Sequence, residues 1–189
     1  MSPQTLLVTV GSTLFVSLTE TILSPSILSI LPGLGIRKVV VQYGAADLLA
    51  LTQIEDLEVD AHGRGQFVWR DYNGLGEVAV QVLKYTDDFT GLVASADAII
   101  SHAGSGSILT SLRSGPKPLL VVPNTSLMDN HQAELAVELE KQGYLTVSTV
   151  EALPDTIGAW LARGHLKPFP ALEVDRFRSV MDGLMGFAS

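Results

Sequence analysis

The sequence contains no cysteine. Disulfide staples and thiolate metal sites are therefore excluded, and the composition fits a reducing compartment. Basic residues are scarce: 12 Lys and Arg stand against 20 Asp and Glu, for a formal net charge of -8. That balance argues against nucleic acid as a partner. No apolar run approaches the ~18 residues needed to span a bilayer. Met1-Ser2-Pro3-Gln4-Thr5 also lacks the basic start and apolar core of a signal peptide. From these absences the expectation is a cytosolic chain that meets membrane only through a partner. Internal repeats and low-complexity tracts are absent as well.

What is present is a sizeable core in one ordinary domain: 47% of the 189 residues are hydrophobic, too many for a disordered chain. Short apolar runs alternate with helix-length segments. Thr5–Val10 reads as a first strand, turned by Gly11-Ser12-Thr13. A helix is expected within Ser17–Leu31, interrupted at Pro25 and stopped by Pro32-Gly33. Val39–Gln42 is a second strand, and Ala45–Gln53 a helix. Gln66–Trp69 and Val78–Val82 flank Asn73-Gly74, a hairpin signal. The segment Asp56–Tyr85 therefore breaks the rhythm and reads as a surface elaboration whose second strand can join the main sheet. Trp69, Arg70 and Tyr72 there offer a contact surface or simply cover an edge.

Asp87–Ser95 reads as a helix, Ala96–Ile100 as a buried strand, and Ser101–Ser107 as a glycine–serine turn opening a helix. Pro118–Pro123 is the next strand, and Asn124–Gln132 a polar loop. A helix Asp129–Gln142 capped by Gly143, a strand Leu145–Val147 and a helix Val150–Ala162 complete the domain, with residues 1–170 as its extent. Residues 171–189 form a separate element. Val174, Phe177, Met181, Leu184 and Phe187 share one face of a helix that either packs back or crosses to a partner. The fold class is α/β: a doubly wound, mainly parallel, Rossmann-like sheet. In such sheets ligands sit beyond the carboxyl ends of the strands. The loops at Gly11, Gln42-Tyr43-Gly44, His102–Ser107 and Asn124–Gln132 should therefore share one rim.

The turn at Gly104 and Gly106 permits close backbone approach and positive φ. Ser105 or Ser107 is suited to cap the following helix. Its first-turn amides and dipole then suit a phosphate or diphosphate; a well-capped turn without a ligand is the plainer alternative. The turn is not the dinucleotide fingerprint, because Leu109 stands where a third glycine belongs. No Gly-Lys-Ser/Thr ends it, and it lacks the nucleophile-elbow spacing. Ser105, His131 and Asp129 make a poor hydrolase triad, since 129 and 131 are too close in sequence. His102, Asp129 and His131 have no recognisable metal-ligand spacing. His62 and His165 read as surface or loop histidines.

Val8–Thr13, Gln42-Tyr43-Gly44, Ala96–Ser107, Val122-Pro123-Asn124 and Leu127–Ala136 resemble the donor-binding subunits of the UDP-N-acetylglucosamine transferase that adds the second sugar of the dolichol-linked oligosaccharide. The likeness is of the glycosyltransferase family 28 C-terminal-domain type and covers Thr5 to about Thr146. It is similar, more distantly, to the donor-binding half of the bacterial peptidoglycan glycosyltransferase. The resemblance implies the C-terminal half of a GT-B enzyme that transfers N-acetylglucosamine from UDP-GlcNAc to GlcNAc-diphospho-dolichol, a step that serves N-glycosylation. It implies a heterodimer with a membrane-anchored, acceptor-binding subunit that recruits this cytoplasmic chain to the cytosolic face of the endoplasmic reticulum. The terminal helix would dock on that subunit.

The resemblance also implies roles. Gly104, Ser105, Gly106 and Ser107 would hold the diphosphate, with Gly11, Ser12 and Thr13 facing them. His131 and Gln132 would bond the sugar hydroxyls, Asn124, Asp129 and Asn130 would shape or share those contacts, and His102 would bond a phosphate oxygen or fix the turn. His131, Gln132 and Gly104 would be essential for transfer; no acid–base residue is assigned. Neither a cofactor nor a metal is expected, UDP-GlcNAc being a substrate. One departure stands out: Thr110 occupies the position where the family usually has an acidic residue for the ribose hydroxyls. That departure implies weak donor affinity in the isolated chain. The alternative is a catalytically impaired binding or regulatory module that kept the fold and the partner surface.

Overall fold

The computed structural model describes residues 4–47, 57–71, 74, 76–124, 130–164 and 167–170. In chain order these build β1 (Thr5–Thr9), α1 (Val16–Leu23), α2 (Pro25–Leu28), a 3-10 turn (Pro32–Leu34), β2 (Lys38–Gln42), β3 (Arg64–Arg70) and β4 (Glu77–Leu83). Then follow α3 (Phe89–Ala94), β5 (Ala98–His102), α4 (Ser105–Arg113), β6 (Leu119–Val122), α5 (Asn130–Lys141), β7 (Thr146–Val147) and α6 (Leu153–Arg163). The strands form one seven-stranded sheet in the order β3-β4-β2-β1-β5-β6-β7. Every neighbouring pair is parallel except β3 with β4.

Parallel strands need both faces covered, so their sequences run apolar rather than alternating. Successive side chains still point to opposite faces, and the core divides accordingly. Leu6, Val8, Val39, Val41, Ile100 and Leu120 pack with Leu18 and Ile22 of α1, Ile27 and Leu28 of α2 and Trp160 of α6. Leu7, Val40, Ile99, Leu119 and Val121 pack on the other side with Val93 of α3, Ile108 and Leu112 of α4 and Leu139 of α5. Among the described residues no helix is long and apolar enough to cross a membrane.

The hairpin belongs to the sheet rather than decorating its surface. Its second strand, β4, pairs in parallel with β2 from Lys38 with Ala79 to Gln42 with Leu83. Its first strand forms the antiparallel edge. Trp69 packs against the core, while Arg70 holds an exposed ion pair with Glu77 at 3.5 Å. Tyr72 lies outside the described residues. Ala45 lies in a turn and residues 46–47 are irregular rather than helical, and residues 48–53 of the expected helix lie outside the described residues. Pro25 and Pro32 each open a new turn, as the interruption and stop of the first helix required. The helix expected from Val150 begins at Leu153, with Pro154 in its first turn. The element 171–189 lies outside the described residues.

Topology places the site. The chain moves outward from β1 through β2, crosses back, and re-enters on the other side of β1 as β5, β6 and β7. The strand order thus reverses between β1 and β5, the switch point where a crevice opens in sheets of this kind.

Candidate functional site

The strand ends at the switch point lie level. Thr9 of β1 pairs with Gln42 on one side and with Ser101 on the other, and His102 pairs with Val122. The loops after β1, β2, β5 and β6 therefore leave the sheet along one rim. Ser101 and His102 belong to β5 and are not part of the turn, so the strand is two residues longer than its apolar run.

Gln42 organises the first loop. It is 3% exposed. Its Oε1 accepts from Thr9 Oγ1 at 2.5 Å and from the Gly11 amide at 3.1 Å. Its Nε2 donates to the Gly11 carbonyl at 2.7 Å and to the Lys84 carbonyl at 2.9 Å. One amide side chain thus holds both backbone groups of Gly11 and ties the β1 turn to the end of β4. Gly11 itself has φ 60, a conformation glycine adopts without strain. Thr13 donates its hydroxyl to the Val10 carbonyl at 2.7 Å, while Ser12 stays exposed. From the far side, Asn124 Nδ2 donates to the Leu14 carbonyl at 3.1 Å, linking the loop after β6 to the loop after β1.

The second wall is the start of α4. Gly104, not a serine, is its N-cap, and no side chain caps the helix. Ser105 and Ser107 fall inside the first turn, so their hydroxyls are one and three positions past the place where a cap works. The uncapped first turn leaves backbone donors at the positive end of the helix dipole. Ser105 and Gly106 are exposed, and a Cβ at Gly106 would meet nothing within 4 Å. The exposed first turn of α4 and the Gly11 turn both border the His102 ring, and a helix start of this kind suits an anion. Neither Gly104 nor Gly106 takes the positive φ that glycine permits; a Cβ at Gly104 would instead meet the His102 ring.

The glycosyltransferase family 28 C-terminal domain model matches residues 5–168 of this sheet and its loops. The chain belongs to that family. A UDP-N-acetylglucosamine transferase subunit ALG13 of Cryptococcus neoformans var. neoformans serotype D is 49% identical over 196 residues, 98% of each chain. The solution NMR structure of ALG13 superimposes with a TM-score of 0.66 at 28% identity, covering 95% of both chains. The crystal structure of Acinetobacter baumannii MurG matches with a TM-score of 0.58 at 18% identity, over 85% of this chain and 42% of that one. This last likeness bears on the fold alone.

In this family 28 domain the remaining expected residues divide. Asn130, His131 and Gln132 lie in the opening turn of α5, and Asp129 lies outside the described residues. Thr110 sits half-buried in the second turn of α4, four residues past Gly106 and so on the same helix face. His62 is exposed. A separate open cavity of about 580 Å³, lined by Tyr43, Asp60, His62 and Lys84 among others, occupies the rim beyond β2 and contains none of the expected site residues. Tyr43 donates its hydroxyl to the Gly63 carbonyl at 3.0 Å; burial first, then the carboxylates of Asp60 and Asp47, push its pKa up and keep it a donor. Gln42 is the positioning residue that sequence reasoning passed over. Its signal was a polar side chain closing an apolar strand, level with Thr9 closing another.

His102 is 6% exposed, and burial pushes its pKa below the usual imidazole value of 6.5, a backbone contact with Thr9 acting weakly the other way. The sign follows. The unfolded chain binds the proton more readily, so this stabilisation is complete above about pH 6.5 and is lost as pH falls through that value towards the folded pKa. Asp60 and Glu151, lowered mainly by backbone hydrogen bonds, act in a separate window below about pH 4.5. The urea midpoint is expected to fall between about pH 7.5 and about pH 5, and His102→Gln to flatten that fall. Parallel curves for the two proteins would show that another group titrates there.

Proposed function

We propose that this chain is the donor-binding subunit of a UDP-N-acetylglucosamine transferase. It would act with a separate, membrane-anchored subunit that carries GlcNAc-diphospho-dolichol and holds the pair at the cytosolic face of the endoplasmic reticulum. The observation that carries the reading is the uncapped first turn of α4 opposite the clamped Gly11 turn at the sheet's switch point, in a chain of this family.

In transfer, the bond between the anomeric carbon and the diphosphate oxygen breaks and an acceptor hydroxyl takes its place. Negative charge grows on the departing UDP. Preorganised amides at 105–107 meet that charge without reorganising at the moment of reaction, which lets the step proceed without a metal. His131 and Gln132, at the opening of α5, are assigned to the hexose hydroxyls. The base that removes the acceptor proton is assigned to the other subunit.

The second reading, an inactive module that retains the fold and the partner surface, rests on Thr110. Co-expression with the acceptor subunit separates the two. Labelled N-acetylglucosamine should pass from UDP-GlcNAc to a GlcNAc-diphospho-lipid, and His131→Ala or Gly104→Val should abolish the transfer. A stable complex that transfers nothing would favour the second reading.

A further inference from the structure

His102 ends β5 with its ring between the two turns that form the cradle. A Cβ built on Gly11 would lie 2.6 Å from its Cε1, and one built on Gly104 would run into its Nε2 edge, with Cε1 at 2.9 Å and Cδ2 at 3.0 Å. Contacts this short require a neighbour to shift, and the His102 ring, 6% exposed, has little room to do so. Gly104 has φ -67 and ψ 124, an extended conformation open to any L-residue. Nothing in its backbone demands glycine; the imidazole does. The ring's Nδ1 is buried and makes no close hydrogen bond among the described residues; a polar contact with the Thr9 backbone and the fit between the two glycines seat it.

We propose that His102 is a positioning residue whose imidazole, wedged between Gly11 and Gly104, sets the separation of the two loops that face one diphosphate. The glycine at 104 then exists to admit this ring, not to admit a ligand. The inference rests on the donor-site reading above for its ligand, though the wedge itself is a property of the fold. Emptying the wedge lets the α4 turn drift towards the Gly11 turn. Amides aimed at a fixed point lose that aim, and displacements of about 1 Å in such sites can cost about a hundredfold in rate.

The test is a double-mutant cycle of His102→Ala and Gly104→Ala, made in the complex with the acceptor subunit and read by UDP-GlcNAc calorimetry, steady-state transfer and thermal melting. His102→Ala is expected to melt cooperatively above the assay temperature yet to bind the donor about tenfold more weakly, with kcat reduced as well. A purely structural role would leave the affinity of the folded fraction unchanged, and that result would overturn the proposal. Gly104→Ala alone is expected to weaken binding by at least about tenfold, but by no more than about twofold once His102 is alanine, because the methyl then occupies the vacated space. Equal losses in both backgrounds would mean that the methyl meets the ligand, and would also overturn it. If His102→Ala fails to fold, His102→Asn takes its place in the cycle. A wild-type complex that does not bind UDP-GlcNAc would discard the donor-site reading instead. Melting would then judge the wedge alone: non-additive shifts support it and additive shifts refute it.

Discussion

Replacing Gln42 with methionine is expected to destabilise the chain by about 3–5 kcal/mol and to remove donor binding. Methionine keeps the length and volume of the side chain, so the packing between β1 and β4 is nearly conserved. What is lost is chemical. Thr9 Oγ1, the Gly11 amide, the Gly11 carbonyl and the Lys84 carbonyl each lose a partner. A buried polar group left unpaired costs about 1–3 kcal/mol. Three features hold the total below the simple sum: Gly11 is only half-buried, its amide retains Thr9 Oγ1 at 3.2 Å, and the Lys84 carbonyl still accepts from the Gly44 amide at 3.2 Å. For a domain of this size the loss corresponds to a fall in melting temperature of roughly 6–20 °C.

The control is Gln42→Glu, which keeps two acceptor oxygens but removes both donors and buries a charge. It should be at least as harmful as methionine. A methionine variant that melts within about 2 °C of the parent would show that the turn holds its shape without the clamp. In that case the left-handed conformation of Gly11 at φ 60, rather than Gln42, would be setting the first wall of the cradle.

Strand and turn chemistry made most of the fold legible in the sequence. β1, β2, β5 and β6 are short runs, buried throughout except at Thr5 and Lys38, and apolar β-branched segments of that length between glycines have few other uses. The hairpin was legible for the same local reasons. Its junction with β2 was not, because parallel pairing between β2 and β4 depends on a long crossover and leaves no local pattern. The rim, too, followed from strand ends and the topology of doubly wound sheets. The way its walls are held did not. Gln42 at a strand end reads as a boundary until its partners at Gly11 and Lys84 are known. Gly104 reads as a flexible turn until the ring of His102 appears beside it. Sequence periodicity reports which face a residue takes; it is silent on which distant loop that face meets.

Thr110→Glu is expected to tighten UDP-GlcNAc binding to the complex by about 10–100-fold. The ribose of a uridine nucleotide presents two neighbouring hydroxyl donors. A carboxylate accepts both, and a hydrogen bond to a charged acceptor is worth about 1.5–3 kcal/mol; the threonine hydroxyl supplies no charge. Position 110 suits the exchange. It is half-buried, so the new charge is screened less than at the surface, and it lies one turn along the helix face from Gly106. Glutamate also favours a helix interior more than threonine does, so the chain should not lose stability. The diphosphate limits the gain, since two anions on one ligand site repel, which is why the upper bound is held to about a hundredfold. Calorimetry with UDP and with 2′-deoxy-UDP reads the cause directly. The gain should shrink for the deoxy nucleotide, which has lost one of the two donors. An equal gain for both nucleotides, or none for either, would detach Thr110 from the ribose. A wild-type complex that already binds UDP-GlcNAc tightly would mean that another carboxylate serves the sugar, and would leave the inactive-module reading without its main support.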